Sequence, residues 1–311
     1  MRGIVTYNPR DLDALRERGL LPPAAPGDGR AMPAGQGPAH PGAYQVFYEI
    51  KSVLGRTEPP VPGAHNMISC FGDNRAVERD PALAAVGPEG LRAVRGTPYF
   101  DWDWVCPSEA GYRRSLLDLV ERAAAAPVAG LRLDTVSFPR EGFCRCPRCQ
   151  EARAASGLDE AEWRAATIAG FVQEAVQRAR RLTDRPVSLT LYPDPYAGHQ
   201  FHRFGVDLKR LAPLVDFFVV PIYDLHYSTT YWVETLAWGF RDLLGEAPFV
   251  VELYALNVDR KALLRAARVA DAYADGILLA YERAPEALAI LDELGPPPGH
   301  SRLAARGTAG S

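Results

Sequence analysis

The stretch Phe249-Val-Val-Glu-Leu-Tyr254 is apolar at almost every position. A strand with one solvated face alternates apolar and polar residues, so a continuous apolar run indicates a strand covered on both faces. Such strands are typical of parallel sheets flanked by helices. Glu252 interrupts this run, and a carboxylate buried in a strand costs several kcal/mol unless it is paired or neutralised. Either an internal ion pair with Arg132 or Lys51, or a functional site, would explain this residue.

Seven further segments resemble this one, and most are followed by a helical pattern. The predicted strands lie at 4–7, 44–50, 66–71, 131–136, 187–192, 217–223, 249–254 and 276–281. The predicted helices begin at 11, 108, 158, 206, 230, 261 and 285. This order predicts an α/β fold, a single-domain (β/α)8 TIM barrel with irregular insertions in the N-terminal third. The rival, an open doubly wound sheet, lacks its Gly-rich phosphate turn, because GIVTYNPRD follows the chain start instead.

The barrel is expected to occupy residues 1–295, with a Pro/Gly-rich insertion at 21–43, a cysteine-rich loop at 139–150 and a disordered tail at 296–311. A net charge of −3 gives no electrostatic footprint for nucleic acid or for an anionic membrane. No segment approaches the roughly 18 apolar residues of a membrane span, and the N-terminal apolar run is too short for a signal peptide. We therefore expect a cytoplasmic protein with neither of these partners.

Polar and aromatic residues stand where the predicted strands end. Asp134 closes the fourth strand, and in a parallel α/β barrel the carboxyl ends of the strands form the active-site face. The other candidates on this rim are Glu49, Tyr192, Asp194, Tyr223, Asp224, Glu252, Tyr254 and Glu282. Two carboxylates across a cleft are what glycoside hydrolysis requires, and tyrosines supply stacking faces for sugar rings. Trp102 and Trp104 contribute further stacking faces or pack within their own loop.

The cysteines suggest a second kind of chemistry. Cys144, Cys146 and Cys149 form a C-x-C-x-x-C pattern, and Cys106 is the natural fourth ligand of a tetrahedral ion. Four thiolates would make a closed structural zinc site that fixes the loop over the cleft, with no open position for catalysis. Reduced free thiols or one disulfide are the alternatives. Cys70 is expected in the core. No organic cofactor is predicted.

Three motifs together resemble glycoside-hydrolase-like TIM-barrel families. They are Cys106-Pro-Ser-Glu-Ala-Gly-Tyr-Arg, then Gly130-Leu-Arg-Leu-Asp-Thr-Val-Ser-Phe-Pro-Arg, and Cys144-Arg-Cys-Pro-Arg-Cys. The resemblance covers about a seventh of the chain, and Ser137 stands where these families have an arginine. It implies a barrel related to carbohydrate-active enzymes, with Asp134 as nucleophile or electrostatic stabiliser. Asp224 and Glu252 are rival acids, because barrel glycosidases place such groups on strands six and seven.

The leading hypothesis is a glycoside-hydrolase-like barrel that cleaves or binds a carbohydrate by paired-carboxylate acid/base chemistry. A non-catalytic carbohydrate-binding or scaffold barrel with a structural zinc is the first alternative. A metal-dependent hydrolase that uses His199 and His202 is the second, although no H-x-H or H-E-x-x-H motif accompanies them.

Overall fold

A computed structural model of the chain describes residues 1–23, 44–196, 198–297 and 299–303. Eight parallel strands close into a barrel in sequence order, with the last strand paired to the first. They are β1 (Arg2–Thr6), β2 (Gln45–Lys51), β3 (His65–Ser69), β4 (Gly130–Asp134), β5 (Val187–Thr190), β6 (Phe217–Pro221), β7 (Phe249–Tyr254) and β8 (Ile277–Ala280). The predicted (β/α)8 barrel is confirmed.

Helices surround the barrel on its outer side. They are α1 (Pro9–Glu17), α2 (Asn74–Arg79), α3 (Ala110–Ala125), α4 (Pro147–Ser156), α5 (Glu160–Arg180), α6 (His199–Phe204), α7 (Leu208–Leu211), α8 (Tyr231–Leu244), α9 (Arg260–Asp271) and α10 (Ala284–Leu294). Side-chain caps begin most of the long ones: Asp159 accepts a hydrogen bond from the Glu162 amide at α5, and Asp259 from the Ala262 amide at α9.

Two apolar cores result from the alternation of side chains along each strand. The larger core fills the space between the barrel and its helices. A smaller one fills the barrel interior, formed by Val5, Phe47, Met67, Phe217, Val219, Val250, Leu278 and Ala280. Residues two positions apart share a face, so Glu49 follows Phe47 into the interior and Glu252 follows Val250. The polar groups at the barrel axis therefore lie directly above the apolar residues of the barrel interior.

The sequence placed every strand, and the observed strands mostly end one or two residues earlier than predicted. The short helices α2, α4 and α6 were not expected. Of the predicted insertion, residues 24–43 lie outside the described residues, as do residues 304–311 of the predicted tail. The described part of that tail contacts the barrel, since the Arg302 amide donates to Asp275 Oδ1 at 2.6 Å. Among the described residues, no helix has the length and apolarity needed to cross a bilayer.

Candidate active site

A cleft of about 400 Å³ opens at the carboxyl ends of the strands. Its walls come from strand ends and from three connections: residues 70–109 between β3 and α3, residues 135–146 after β4, and residues 191–196 and 198–206 after β5. The principal lining residues are Tyr7, Glu49, Met67, Tyr99, Asp101, Trp102, Trp104, Arg132, Asp134, Thr135, Ser137, Arg140, Thr190, Tyr192, Gln200, Arg203, Tyr223 and Tyr281. This set combines acids, arginines and aromatic rings, and it lies on the face where barrel enzymes bind their substrates.

An ion pair between Arg132 and Glu252 crosses the barrel beneath the cleft. Arg132 lies on β4 and Glu252 on β7, and their side chains are 2% and 0% exposed. The hydroxyl of Tyr223 donates a hydrogen bond to the other oxygen of Glu252. Burial lowers the pKa of Arg132, but the charges of Glu252 and Asp134 outweigh it, so the net pKa is raised and the guanidinium stays charged. Of the two explanations offered for Glu252, the structure contains the ion pair with Arg132.

Asp134 lies above this pair at the end of β4. Its Oδ1 atom is 3.9 Å from a terminal guanidinium nitrogen of Arg132, and its side chain is 20% exposed. Burial, and to a smaller extent the charge of Glu252, raise the pKa of Asp134 above its ordinary value, although Arg132 and hydrogen bonds from the Thr190 side chain and the Thr135 backbone oppose the shift. Thr190 also accepts a hydrogen bond from Arg132 Nε at 2.8 Å. Arg132 thus supplies a positive charge close to Asp134.

Glu49 is the second carboxyl group of the cleft. It lies on β2 and is 8% exposed. Burial and the nearby charge of Asp134 raise its pKa from 4.5 to about 8. Arg56, Lys51 and Arg132 oppose this shift without cancelling it. Glu49 therefore carries a proton at neutral pH, whereas Asp134 has the Arg132 guanidinium and two hydrogen bonds that oppose the effect of burial on its pKa.

Tyrosine rings surround the two carboxyl groups on the β8 side. Tyr7 and Tyr281 stack with their ring centroids 4.5 Å apart, and Tyr223 packs edge-on against Tyr281 at 5.7 Å. Burial, and secondly the charge of Glu252, raise the pKa values of Tyr7 and Tyr223 well above 10. These phenols therefore stay protonated and can donate hydrogen bonds. Together they form a wall of aromatic faces and hydroxyl groups, a surface suited to sugar rings.

The backbone turns sharply directly after two of the strands. Thr135 has a φ of 50° and Tyr281 a φ of 72°. Left-handed conformations are uncommon for residues with a side chain, and they cost about 1–3 kcal/mol where the surroundings impose them. At Thr135 the hydroxyl lies 2.9 Å from Ser69 Oγ, and the carbonyl accepts the Phe71 amide at 3.2 Å. These two contacts connect the turn after Asp134 to the end of β3.

The candidate residues separate into those that line the cleft and those that do not. Asp134, Glu49, Tyr192 and Tyr223 line it together with Trp102 and Trp104. Glu252 lies beneath, with both oxygens engaged. The remaining candidates, Asp224, Asp194, Tyr254 and Glu282, are not among the lining residues.

The candidates outside the cleft have local partners. Asp224 accepts the His226 amide at 2.8 Å, and Glu282 accepts the Arg283 amide at 2.8 Å. Tyr254 packs on Tyr281, with ring centroids 5.2 Å apart. Asp194 binds Arg203, and its Oδ2 atom is 3.0 Å from His199 Nδ1. Each of these four side chains therefore has a partner within the protein.

Sequence reasoning missed several cleft residues, among them Thr190, Arg140 and Arg203. Thr190 had a signal, because Ser188 and Thr190 put two hydroxyl groups on one face of an otherwise apolar strand. Arg140 lies on the loop after β4 and Arg203 lies in the short helix α6, and neither had a local signal. Their placement depends on tertiary contacts of the segments that carry them.

The four predicted metal-ligand cysteines meet at one point. The sulfur atoms of Cys106, Cys144, Cys146 and Cys149 all lie within 4.8 Å of one another, and all four residues are buried. Cys106 Sγ is 3.2 Å from Cys149 Sγ and 3.8 Å from Cys146 Sγ. Tetrahedral zinc with Zn–S bonds of about 2.3 Å requires S–S distances of just under 4 Å, so the set fits this ion. Cys70 lies apart in the core, as expected.

The cysteine cluster joins two of the three connections that wall the cleft. The Val86 amide donates to Cys144 Sγ at 3.2 Å, and the Arg145 amide donates to the Val86 carbonyl at 2.5 Å. Phe100 packs edge-on against Phe143, with ring centroids 5.5 Å apart. Residues 70–109 and 135–146 are thus connected by sulfur, backbone and aromatic contacts.

The histidines do not form a metal site with these groups. Within the described ranges, the only His, Cys, Asp and Glu side chains positioned in a group of three or more for one ion are the four cysteines. His199 is engaged with Asp194, and His202 is exposed. The arrangement gives no support to a hydrolase that uses His199 and His202.

Solved structures with the same barrel fold include glycoside hydrolase domains. The PgaB (BpsB) glycoside hydrolase domain from Bordetella bronchiseptica aligns over 93% of this chain and 98% of its own, with a TM-score of 0.65 and 13% identity. The two share a barrel fold. A chitinase from Chromobacterium violaceum aligns over 94% of this chain and 99% of its own, with a TM-score of 0.51 and 11% identity.

A third neighbour is larger than this chain. Alpha-L-fucosidase isoenzyme 2 from Paenibacillus thiaminolyticus aligns over 91% of this chain, with a TM-score of 0.54 and 11% identity, but this chain spans only 46% of the fucosidase. No protein-family model and no curated protein matches the sequence. At these identities the likeness is one of fold, and the predicted resemblance to glycoside-hydrolase-like barrels is confirmed at that level.

The buried ion pair yields a stability prediction. Replacing Glu252 by Gln leaves the Arg132 charge buried without its partner, so we expect the free energy of unfolding to fall by about 3–5 kcal/mol. The double variant Arg132→Met/Glu252→Leu should recover most of this loss, because it removes both charges. Urea denaturation measures all three proteins. Glu293→Gln, in the half-exposed pair with Arg260, is the matched control and should cost at most about 1 kcal/mol. A Glu252→Gln loss no larger than the control's would contradict the assignment.

Glu49 yields a pH prediction. Its pKa is higher in the folded state than the ordinary value of 4.5, so its contribution to stability is present below that value and is lost as the pH rises through about 8. Wild type should therefore lose more stability than Glu49→Gln between about pH 5 and about pH 8. Urea denaturation at both pH values tests this. The exposed Glu151→Gln variant should follow wild type, and identical slopes for all three proteins would refute the shift.

Proposed function

We propose that the protein is a glycoside hydrolase in which Glu49 and Asp134 are the paired carboxyl groups. The observation that carries this proposal is that both line one cleft, at the carboxyl end of the barrel, in different electrostatic environments: the pKa of Glu49 is raised to about 8, whereas Asp134 lies beside the Arg132 guanidinium. Glycoside hydrolysis uses one protonated and one charged carboxyl group on either side of the scissile bond. The aromatic wall of Tyr7, Tyr223 and Tyr281 is consistent with a sugar ligand.

Glu49 is assigned the role of general acid. Its pKa of about 8 keeps a proton available for transfer to the leaving glycosidic oxygen. Asp134 is assigned the role of nucleophile or electrostatic stabiliser at the anomeric carbon, where positive charge develops. Arg132 lies close to Asp134 and stabilises its charged form against the effect of burial, and Arg132 is itself paired with Glu252. Asp224 and Glu252, the acids favoured on strand position, are thereby replaced by Glu49 in this assignment.

We further propose that the four cysteines bind one structural zinc ion. Zinc bound by four thiolates has no open coordination position, so the ion would take no part in hydrolysis. Its contribution would be to fasten residues 70–109 to residues 135–146, and these two segments carry Trp102, Trp104 and Arg140 into the cleft. The cysteine site therefore supports the shape of the binding cleft.

The catalytic assignment is tested by activity. In an assay of reducing-sugar release from a panel of polysaccharides and oligosaccharides, Asp134→Asn and Glu49→Gln should each lower kcat by about 10²–10⁴. Asp224→Asn is the control and should stay within a few-fold of wild type. Wild-type kcat should decline as the pH rises through about 8, because Glu49 then loses its proton. Glycan binding without turnover by wild type would instead indicate the non-catalytic carbohydrate-binding barrel.

The zinc site is tested by metal analysis. Elemental analysis of wild type should find about one zinc per chain, and Cys146→Ser should lose most of it. Cys70→Ala removes a thiol outside the cluster and should keep the zinc. Binding of oligosaccharides should weaken in Cys146→Ser while its circular dichroism spectrum keeps the signature of the barrel. Zinc-free wild-type protein with four titratable thiols in the cluster would exclude the site.

A further inference from the structure

One wall of the cleft is basic, and this wall was not foreseen from the sequence. Arg140 follows β4 and Arg203 lies in α6, after β5, and both side chains line the cleft. The two acids, Glu49 and Asp134, belong to strand ends at the barrel axis. The cleft therefore has separate acidic and basic parts.

A third arginine brings these two together. Arg164 lies on α5, and its side chain is almost completely buried. Its Nη2 atom donates to the carbonyl oxygens of Arg140 and Arg203, each at 2.7 Å, and its Nη1 atom donates to the carbonyl of His202 at 2.7 Å. Burial lowers the pKa of Arg164 only to about 10, so it stays charged at neutral pH. Because one nitrogen binds both carbonyls, the backbones of Arg140 and Arg203 lie side by side.

Arg140 is free to bind an anion. Within the described part of the chain, no carboxylate forms an ion pair with its guanidinium, which instead lies 4.2 Å from the ring centroid of Tyr99. An aromatic face under a guanidinium fixes its plane while leaving its N–H donors available. Tyr99 also lines the cleft, so this orientation is maintained at the ligand surface.

Arg203 is oriented and partly neutralised. Its Nη1 atom binds Asp194, which also contacts His199. A guanidinium has five N–H donors, and this ion pair uses one of them. The Arg203 side chain is 29% exposed. It therefore presents a fixed donor beside the uncompensated charge of Arg140.

The acids do not cancel this charge. Glu49 is protonated at neutral pH, and the charge of Asp134 faces Arg132. Asp101 is the other acid lining the cleft, and it is exposed to solvent. A negatively charged group on the ligand would thus find the unpaired charge of Arg140 on this wall, together with the remaining N–H donors of Arg203.

We infer that this wall is an oxyanion subsite, and that the glycan bound in the cleft carries carboxylate, sulfate or phosphate groups. Guanidinium groups bind each of these oxyanions with paired hydrogen bonds. The anionic sugar would lie on Arg140 and Arg203 while a neighbouring glycosidic bond reaches Glu49 and Asp134. This inference rests on the proposed carbohydrate-binding function of the same cleft.

The test uses a glycan array of neutral, amino, uronate, sulfated and phosphorylated oligosaccharides, probed with the full-length protein. The strongest ligands should be anionic, and the array separates the three oxyanions. For the best ligand, Arg140→Met should weaken binding by about tenfold or more, and Arg140→Lys should retain part of it, since it keeps the charge. Arg181→Met, which changes an exposed arginine on another face, is the control. Wild-type affinity should fall between about 50 mM and about 500 mM NaCl.

Different failures have different meanings. Best ligands that are neutral or cationic, or an Arg140→Met variant that binds like wild type, would overturn the anionic subsite and leave the proposed glycosidase intact. A wild-type protein that binds and cleaves no glycan would remove the proposed function and the subsite with it. Circular dichroism of each variant verifies that a loss of binding is not a loss of folding.

Discussion

The ion pair of Arg132 and Glu252 is the constraint on which the site depends. Two opposite charges occupy the barrel interior between an apolar floor and the cleft, and neither is exposed to water. In such surroundings each charge is stable only because it is paired with the opposite charge. The pair also orients its neighbours: Glu252 accepts the hydroxyl of Tyr223, and Arg132 directs Thr190 and Asp134. The charges that determine the electrostatics of the cleft therefore include this ion pair, which lies beneath the cleft.

The two cleft carboxyl groups lie in different environments. Glu49 and Asp134 come from β2 and β4, and the charge of Asp134 raises the pKa of Glu49. Burial raises the pKa of Asp134 as well, but the Arg132 guanidinium and the Thr190 hydroxyl oppose that shift. Glu49 keeps its proton at neutral pH, because burial and Asp134 outweigh the nearby cations. This difference in environment underlies the different roles proposed for the two acids.

Much of the fold could be predicted because its signals are local. Segments rich in aliphatic, aromatic and β-branched residues identified all eight strands, and their order along the chain identified the barrel. The cysteine cluster was equally predictable from the sequence, because Cys106 and the C-x-C-x-x-C motif lie on either side of α3 and β4. The short helix α6 was missed because its six residues carry too weak a periodicity.

The partner of Asp134 was harder to predict. Strand position favoured Asp224 and Glu252. In the structure Asp224 accepts a hydrogen bond from the His226 amide, and Glu252 forms an ion pair with Arg132. Whether a strand-end acid faces the axis, and what neutralises it, depends on side chains distant in sequence. The basic wall had no local signal at all, because Arg164 brings together the loops after β4 and β5 from a helix between them.

The sulfur cluster has a consequence for how this barrel can change. Residues 70–109 contribute one cysteine, and the segment after β4 contributes three, so neither holds a complete ligand set. An exchange of one segment between related barrels would break the set, whereas point changes at Trp102 or Arg140 leave it whole. The two segments must therefore be kept together for the cysteine set to be complete, whereas the ligand-facing residues that they carry can be changed one at a time.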